Sequence, residues 1–174
     1  MEPLPHRYEV HLTGGQSGYA ELGAAGIPVL RTASPPEFDG PGDAWSPEHL
    51  LLAAVESCFL FTLRAVARAS QLEFASLDLH AVGVVDRRDR VTRFTEIVLR
   101  PRLTVGAGTD RERVRHILAN RYPPPFRACL RFLTDGFSGG HVCFARRRAS
   151  CQGRLVRLGV DPIFISAAPR CSFP

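Results

Sequence analysis

Apolar residues recur along most of this chain with one of two periods, and each period marks a different element. Tyr8, Val10 and Leu12 alternate with polar neighbours and predict a short strand over residues 8–12. The run Gly14-Gly15-Gln16-Ser17-Gly18 then reads as a turn. Tyr19 to Leu22 and Ile27 to Leu30 follow as further strands, giving an N-terminal β-meander. Residues 34–43, SPPEFDGPGD, are rich in proline, glycine and acids and predict a loop.

A helix is expected from Ser46-Pro47 to about Ser70. Serine caps the first free N–H groups, proline suits the first helical position, and Glu48 lies at the positive end of the dipole. Leu50, Leu51, Ala54, Val55, Cys58, Phe61, Leu63 and Val66 occupy most of its circumference, so it should be enclosed by sheet or by a partner subunit. Alternation resumes at Leu77, Leu79, Ala81, Gly83 and Val85. After the charged turn 86–90 it continues on a face carrying Val91, Arg93, Thr95, Ile97, Leu99, Leu103 and Val105, which makes a long antiparallel hairpin. Thr109-Asp110-Arg111-Glu112 reads as a capping box opening a second helix, with Val114, Ile117 and Leu118 as its apolar stripe. Pro123-Pro124-Pro125 ends it. After Gly136 neither period persists, and only Val160 to Ile165 suggests a strand.

Charge sharpens that boundary. All 22 basic residues are arginine. Residues 1–136 carry 16 Arg against 16 acids, whereas residues 137–174 carry 6 Arg against Asp161 alone, so the whole net +5 lies in the tail. The expected organisation is therefore one domain, 1–136, followed by a basic, irregular tail, 137–174, either disordered or not ancestral to the rest. A neutral body argues against nucleic acid as the partner. No signal-peptide pattern opens the chain, and the apolar run Leu50 to Leu63 is broken by Glu56, too short and polar for a bilayer. A cytoplasmic location with no membrane partner is expected, where the five cysteines would be reduced rather than structurally paired.

The chemistry centres on Cys58, with Glu48 ten residues before it. In a straight helix they stand about 280° apart around the axis and about 15 Å apart along it, so they do not touch directly. Taken alone, Cys58 reads as a small buried hydrophobe and Glu48 as a dipole partner. The six histidines show no metal-ligand spacing with cysteine, and there is no CxxC, so no metal is expected. Gly14-Gly15 and Gly106-Ala107-Gly108 are turns, outside the strand-to-helix setting of a phosphate loop.

The stretch Ser46-Pro47-Glu48-His49-Leu50-Leu51-Leu52-Ala53-Ala54-Val55-Glu56-Ser57-Cys58-Phe59 resembles the signature of the OsmC/Ohr family, in which a Pro-Glu pair opens the central helix and a cysteine follows ten residues after the Glu. The order of elements is similar too, and the resemblance covers about residues 8–120. It implies an α+β OsmC-like fold, antiparallel sheets around a buried central helix, in an intertwined homodimer. It also implies reduction of organic hydroperoxides without a cofactor, at the expense of an external dithiol. Cys58 would be the peroxidatic thiol, Glu48 part of the charged network around it, and a second cysteine the resolving thiol. Cys129 is the candidate for that last role.

Two features depart from the family pattern. Gln16 stands in the Gly-Gly turn and Glu37-Phe38-Asp39 near the loop position, the places where the family's peroxidatic members carry an arginine; Arg31 is the candidate substitute. Cys129 falls after the triple proline rather than inside a helix. The alternative reading is a non-enzymatic member of the same fold that binds a small apolar ligand at the dimer interface, with Cys58 inert.

Overall fold

The computed structural model describes residues 3–120, 157–160 and 164–167. The chain separates into two compact units, residues 1–51 and 52–174.

The first unit holds a three-stranded antiparallel meander: β1 (His11–Gly14), β2 (Ala20–Ala24) and β3 (Ile27–Thr32). β2 and β3 meet across Ala25-Gly26, where Gly26 adopts φ 72°, a left-handed conformation that glycine takes without steric cost. β1 begins later than the alternation of Tyr8, Val10 and Leu12 suggests, and all three side chains are exposed. β1 pairs with β2 from His11 with Gly23 to Gly14 with Ala20, so the ladder stops short of Tyr8 and Val10. The loop after β3 contains a 3-10 turn, Pro36–Phe38, and is closed at its base by the Ala33 amide donating to the Trp45 carbonyl at 3.0 Å.

Helix α1 (Pro47–Ala69) has the capping residue the sequence indicates, Ser46, whose Oγ accepts from the His49 amide at 3.3 Å. By length and composition alone α1 is long and apolar enough to cross a bilayer, which the run Leu50 to Leu63 by itself is not. In the second unit its stripe Val55, Phe59, Leu63 and Ala67 is buried, as in the core helix of a globular domain.

Val55, Phe59 and Leu63 of that stripe belong to a core shared with Ile97, Leu99, Leu103 and Val105 of β5 (Val91–Val105). β5 is the central strand of its sheet. It pairs antiparallel with β4 (Ser76–Arg88) and parallel with β6 (Arg157–Val160) and β7 (Phe164–Ala167). The hairpin turn is carried by Asp89 and Arg90, both at positive φ, the backbone of a type I′ turn. A bulge between Val84 and Val85 sets Val84 opposite Glu96 and Val85 opposite Phe94. The bulge corrects the face assigned from alternation: Phe94, rather than Arg93 and Thr95, packs on the core, because one extra residue inverts the side-chain parity.

Helix α2 (Arg111–Asn120) buries Val114 and Ile117, as its stripe predicts. Its cap differs. Asp110 Oδ1 accepts from the Glu112 and Arg113 amides at 2.9 and 3.2 Å, in place of a box built on Thr109. Asp and Thr are both good caps, and the turn formed by the Thr109 amide with the Gly106 carbonyl shifts the helix start by one residue. The strand suggested at Val160–Ile165 is instead the end of β6 and the start of β7.

α1 departs from the expectation of full enclosure. Among the described residues only one of its faces is buried, while Phe61 remains 60% exposed with Arg64 lying over its ring at 5.5 Å.

Candidate functional site

Cys58 sits at mid-helix in α1, half-buried against the core cluster and next to the fully buried Phe59. Its sulfur is disulfide-bonded. Cys129, Cys143, Cys151 and Cys171 lie outside the described residues. The hydroxyl of Ser57, adjacent in sequence, donates back to the Ala53 carbonyl at 2.8 Å and is spent within the helix.

The first unit carries the other residues singled out from the sequence. Glu48 stands in the first turn of α1, where a carboxylate is favoured by the helix dipole. Its Oε2 is nevertheless buried without a hydrogen-bond partner among the described residues. A buried carboxylate oxygen left unpaired is costly, of order 1–3 kcal/mol or more, so the position calls for a donor.

Arg31 is already committed. Its Nη2 lies 3.2 Å from Asp43 Oδ2 and 3.3 Å from the Asp43 carbonyl oxygen, and its guanidinium lies over the Tyr19 ring at 4.3 Å. Tyr19 completes the group by donating its hydroxyl to Asp43 Oδ1 at 2.8 Å. That hydrogen bond, with the Asp43 charge behind it, holds the Tyr19 phenol above its ordinary range, and Arg31 opposes the rise. Gln16 is exposed in the turn between β1 and β2.

Sequence reasoning missed Tyr19, Asp43 and His49. Tyr19 and Asp43 are 24 residues apart and share no pattern that pairs them. His49 had a signal: it stands three residues after the capping Ser46, the position where Glu or Gln closes a capping box. Among the described residues no group of three His, Cys, Asp or Glu side chains is placed to hold a metal ion. What the described residues offer chemically is a disulfide-bonded sulfur on a helix with one buried face.

Residues 40–121 match the family model described as OsmC-like protein. An uncharacterized protein of Bacillus subtilis, YmaD, is 33% identical over 73 residues, which are 42% of this chain and 49% of that protein, so the match spans about half the relative's length. Among solved structures, an OsmC-like protein of unknown function from Vibrio cholerae superposes with a TM-score of 0.64 at 14% identity, covering 94% of this chain and all of that one (100%). An OsmC-like protein from Mycoplasma pneumoniae gives 0.63 at 13% identity, covering 95% and 100% of the two chains. An organic hydroperoxide resistance protein from Elizabethkingia anophelis gives 0.61 at 15% identity, covering 97% and 100%. Such low identities show a shared fold, and the fold is α+β and OsmC-like.

Proposed function

We propose that this chain, which carries an OsmC-like domain over residues 40–121 on the fold of OsmC/Ohr proteins, reduces organic hydroperoxides through Cys58. The observation that carries this reading is the place of Cys58, a disulfide-bonded cysteine, on the core helix of that fold. The thiolate attacks the terminal peroxide oxygen and the O–O bond breaks. The alkoxide leaves as an alcohol after taking a proton, and Cys58 becomes a sulfenic acid. A second thiol, for which Cys129 is the candidate, attacks the sulfenic sulfur and releases water with formation of a disulfide. An external dithiol then restores both thiols by exchange and is itself oxidised to a disulfide. No metal or organic cofactor takes part.

Glu48, in the first unit, has an unpartnered Oε2, which supports a role in accepting a hydrogen bond from a group the described residues do not supply. A second copy of the chain is the proposed source of the missing contacts. The exposed Phe61 on α1, and separately the exposed Tyr8, Val10, Leu12, Ile27 and Val29 of the meander unit, give a homodimer apolar surface to cover. A cytoplasmic setting with a thiol reductant at hand fits this cycle.

One observation favours the non-enzymatic alternative, in which a small apolar ligand occupies a dimer-interface pocket and Cys58 is inert. Arg31, the candidate for lowering the thiol's proton affinity, is engaged by Asp43. Turnover decides between them. Consumption of cumene hydroperoxide with a dithiol is measured for the natural chain, Cys58→Ser and Cys129→Ser. Loss of turnover in Cys58→Ser and a stall after one cycle in Cys129→Ser support the two-cysteine route. An idle natural chain with its thiols reduced moves the reading to the ligand binder.

A further inference from the structure

His49 closes a capping box that is normally closed by Glu or Gln. Its Nδ1 accepts from the Ser46 amide at 3.3 Å, while the His49 amide donates to Ser46 Oγ at 3.3 Å. The two residues thus satisfy each other's backbone donors at the start of α1. Ser46 Oγ also lies 3.1 Å from Nδ1 and can donate to it. Acceptance at Nδ1 places the neutral ring's proton on Nε2. Glutamate and glutamine keep an acceptor at this position in every accessible charge state of the folded protein. Histidine does not, because an imidazolium has two N–H donors and no acceptor.

We propose that His49 makes the first turn of α1 a pH-sensitive clasp, closed when the imidazole is neutral and released when it takes a proton from solvent. Three consequences of protonation act together. The Ser46 N–H loses its acceptor and faces a donor, and Ser46 is only 1% exposed, so water does not readily replace the bond. Ser46 Oγ can turn to accept from Nδ1–H, which recovers one contact but not the amide's. The new positive charge also stands at the positive end of the helix dipole. The groups facing the ring within residues 1–51 are the Ser46 amide and hydroxyl and the indole of Trp45, perpendicular at 6.3 Å, none of which titrates near neutrality. Glu48, its neighbour on the same turn, is the nearest carboxylate along the chain, and no ion pair to His49 exists among the described residues.

The sign follows from the acceptor. The clasp holds while the ring nitrogen is an acceptor and is lost once the ring is an imidazolium. The test uses the full chain and does not depend on peroxide chemistry. Thermal unfolding is compared for the natural chain and His49→Gln, which keeps an acceptor, at about pH 8 and about pH 5, on either side of the ordinary histidine value. The gap in Tm, His49→Gln minus natural, should rise by about 2–4 °C on going to the lower pH, since the other five histidines are common to both chains. In the natural chain the Ser46 amide resonance should also move with the His49 ring titration, and Trp45, the single tryptophan, should report the same transition. A Tm gap independent of pH, or a Ser46 amide that ignores the His49 titration, overturns the proposal.

Discussion

Arg31 and Asp43 form an ion pair, Nη2 to Oδ2 at 3.2 Å, that ties the last strand of the meander to the loop leading into α1. Tyr19 stacks under the guanidinium and donates to the same carboxylate, so one exposed acid holds two partners. The Tyr19 phenol should therefore ionise above its reference value of about 10. Ultraviolet titration, with Tyr19→Phe subtracted to isolate this tyrosine, checks it. Asp43→Ala removes both the accepted hydrogen bond and the negative charge and should bring the ionisation back down. For an acid whose proton is held more tightly in the folded state, the linked stability is present below the ordinary range and lost as pH rises through the folded value. Exposure of the group keeps that contribution small.

Phe59 and Phe61 are two residues apart on α1 and have opposite surroundings, 0% and 60% exposed. Phe59→Ala should cost about 3–5 kcal/mol in denaturant unfolding, the usual penalty for emptying an aromatic site in a packed core. Phe61→Asp should leave the unit's own core intact and instead shift the proposed dimer toward monomer in sedimentation. Equal sedimentation of the natural chain and Phe61→Asp would remove α1's exposed face from the proposed interface.

Gly40 should tolerate no side chain. A Cβ built there falls on the Ser34 carbonyl oxygen and close to the Pro35 carbonyl, both rigid backbone. The Gly40 amide also donates to the Pro35 carbonyl at 3.0 Å, which pins the approach. Gly40→Ala is expected to lower Tm by several degrees, roughly as a 1–3 kcal/mol strain would. An unchanged Tm would mean that the loop has room to shift.

Asp110 carries the start of α2 through two amides. Asp110→Ala should cost about 0.5–2 kcal/mol in unfolding, and Thr109→Ala much less. The reverse order would restore Thr109 as the capping residue.

Elements with a strong local period were legible in the sequence. α1 is bounded by Ser46-Pro47 and long apolar content, and the β4–β5 hairpin by alternation on both sides of a charged turn. What the sequence hid was relational. The bulge that puts Phe94 rather than Thr95 on the core depends on how two strands pair. The choice of Asp110 over Thr109 depends on a turn one residue upstream. β6 and β7 are four residues each and pair in parallel with a strand more than fifty positions earlier, too short to carry a period of their own. Cys58 and Glu48 stood out only because the stretch from Ser46 to Phe59 resembles the OsmC/Ohr signature. The commitment of Arg31 to Asp43 depends on a loop fold that no spacing encodes, and the His49 clasp required seeing a ring nitrogen as an acceptor.

The most direct test of a peroxidatic Cys58 is a single-turnover experiment. The fully reduced chain is mixed with one equivalent of cumene hydroperoxide, and its peptides are then mapped without reduction. A peroxidatic Cys58 yields one equivalent of cumyl alcohol and a disulfide-linked peptide containing Cys58. A Cys58 recovered as free thiol, with the hydroperoxide unconsumed, contradicts it.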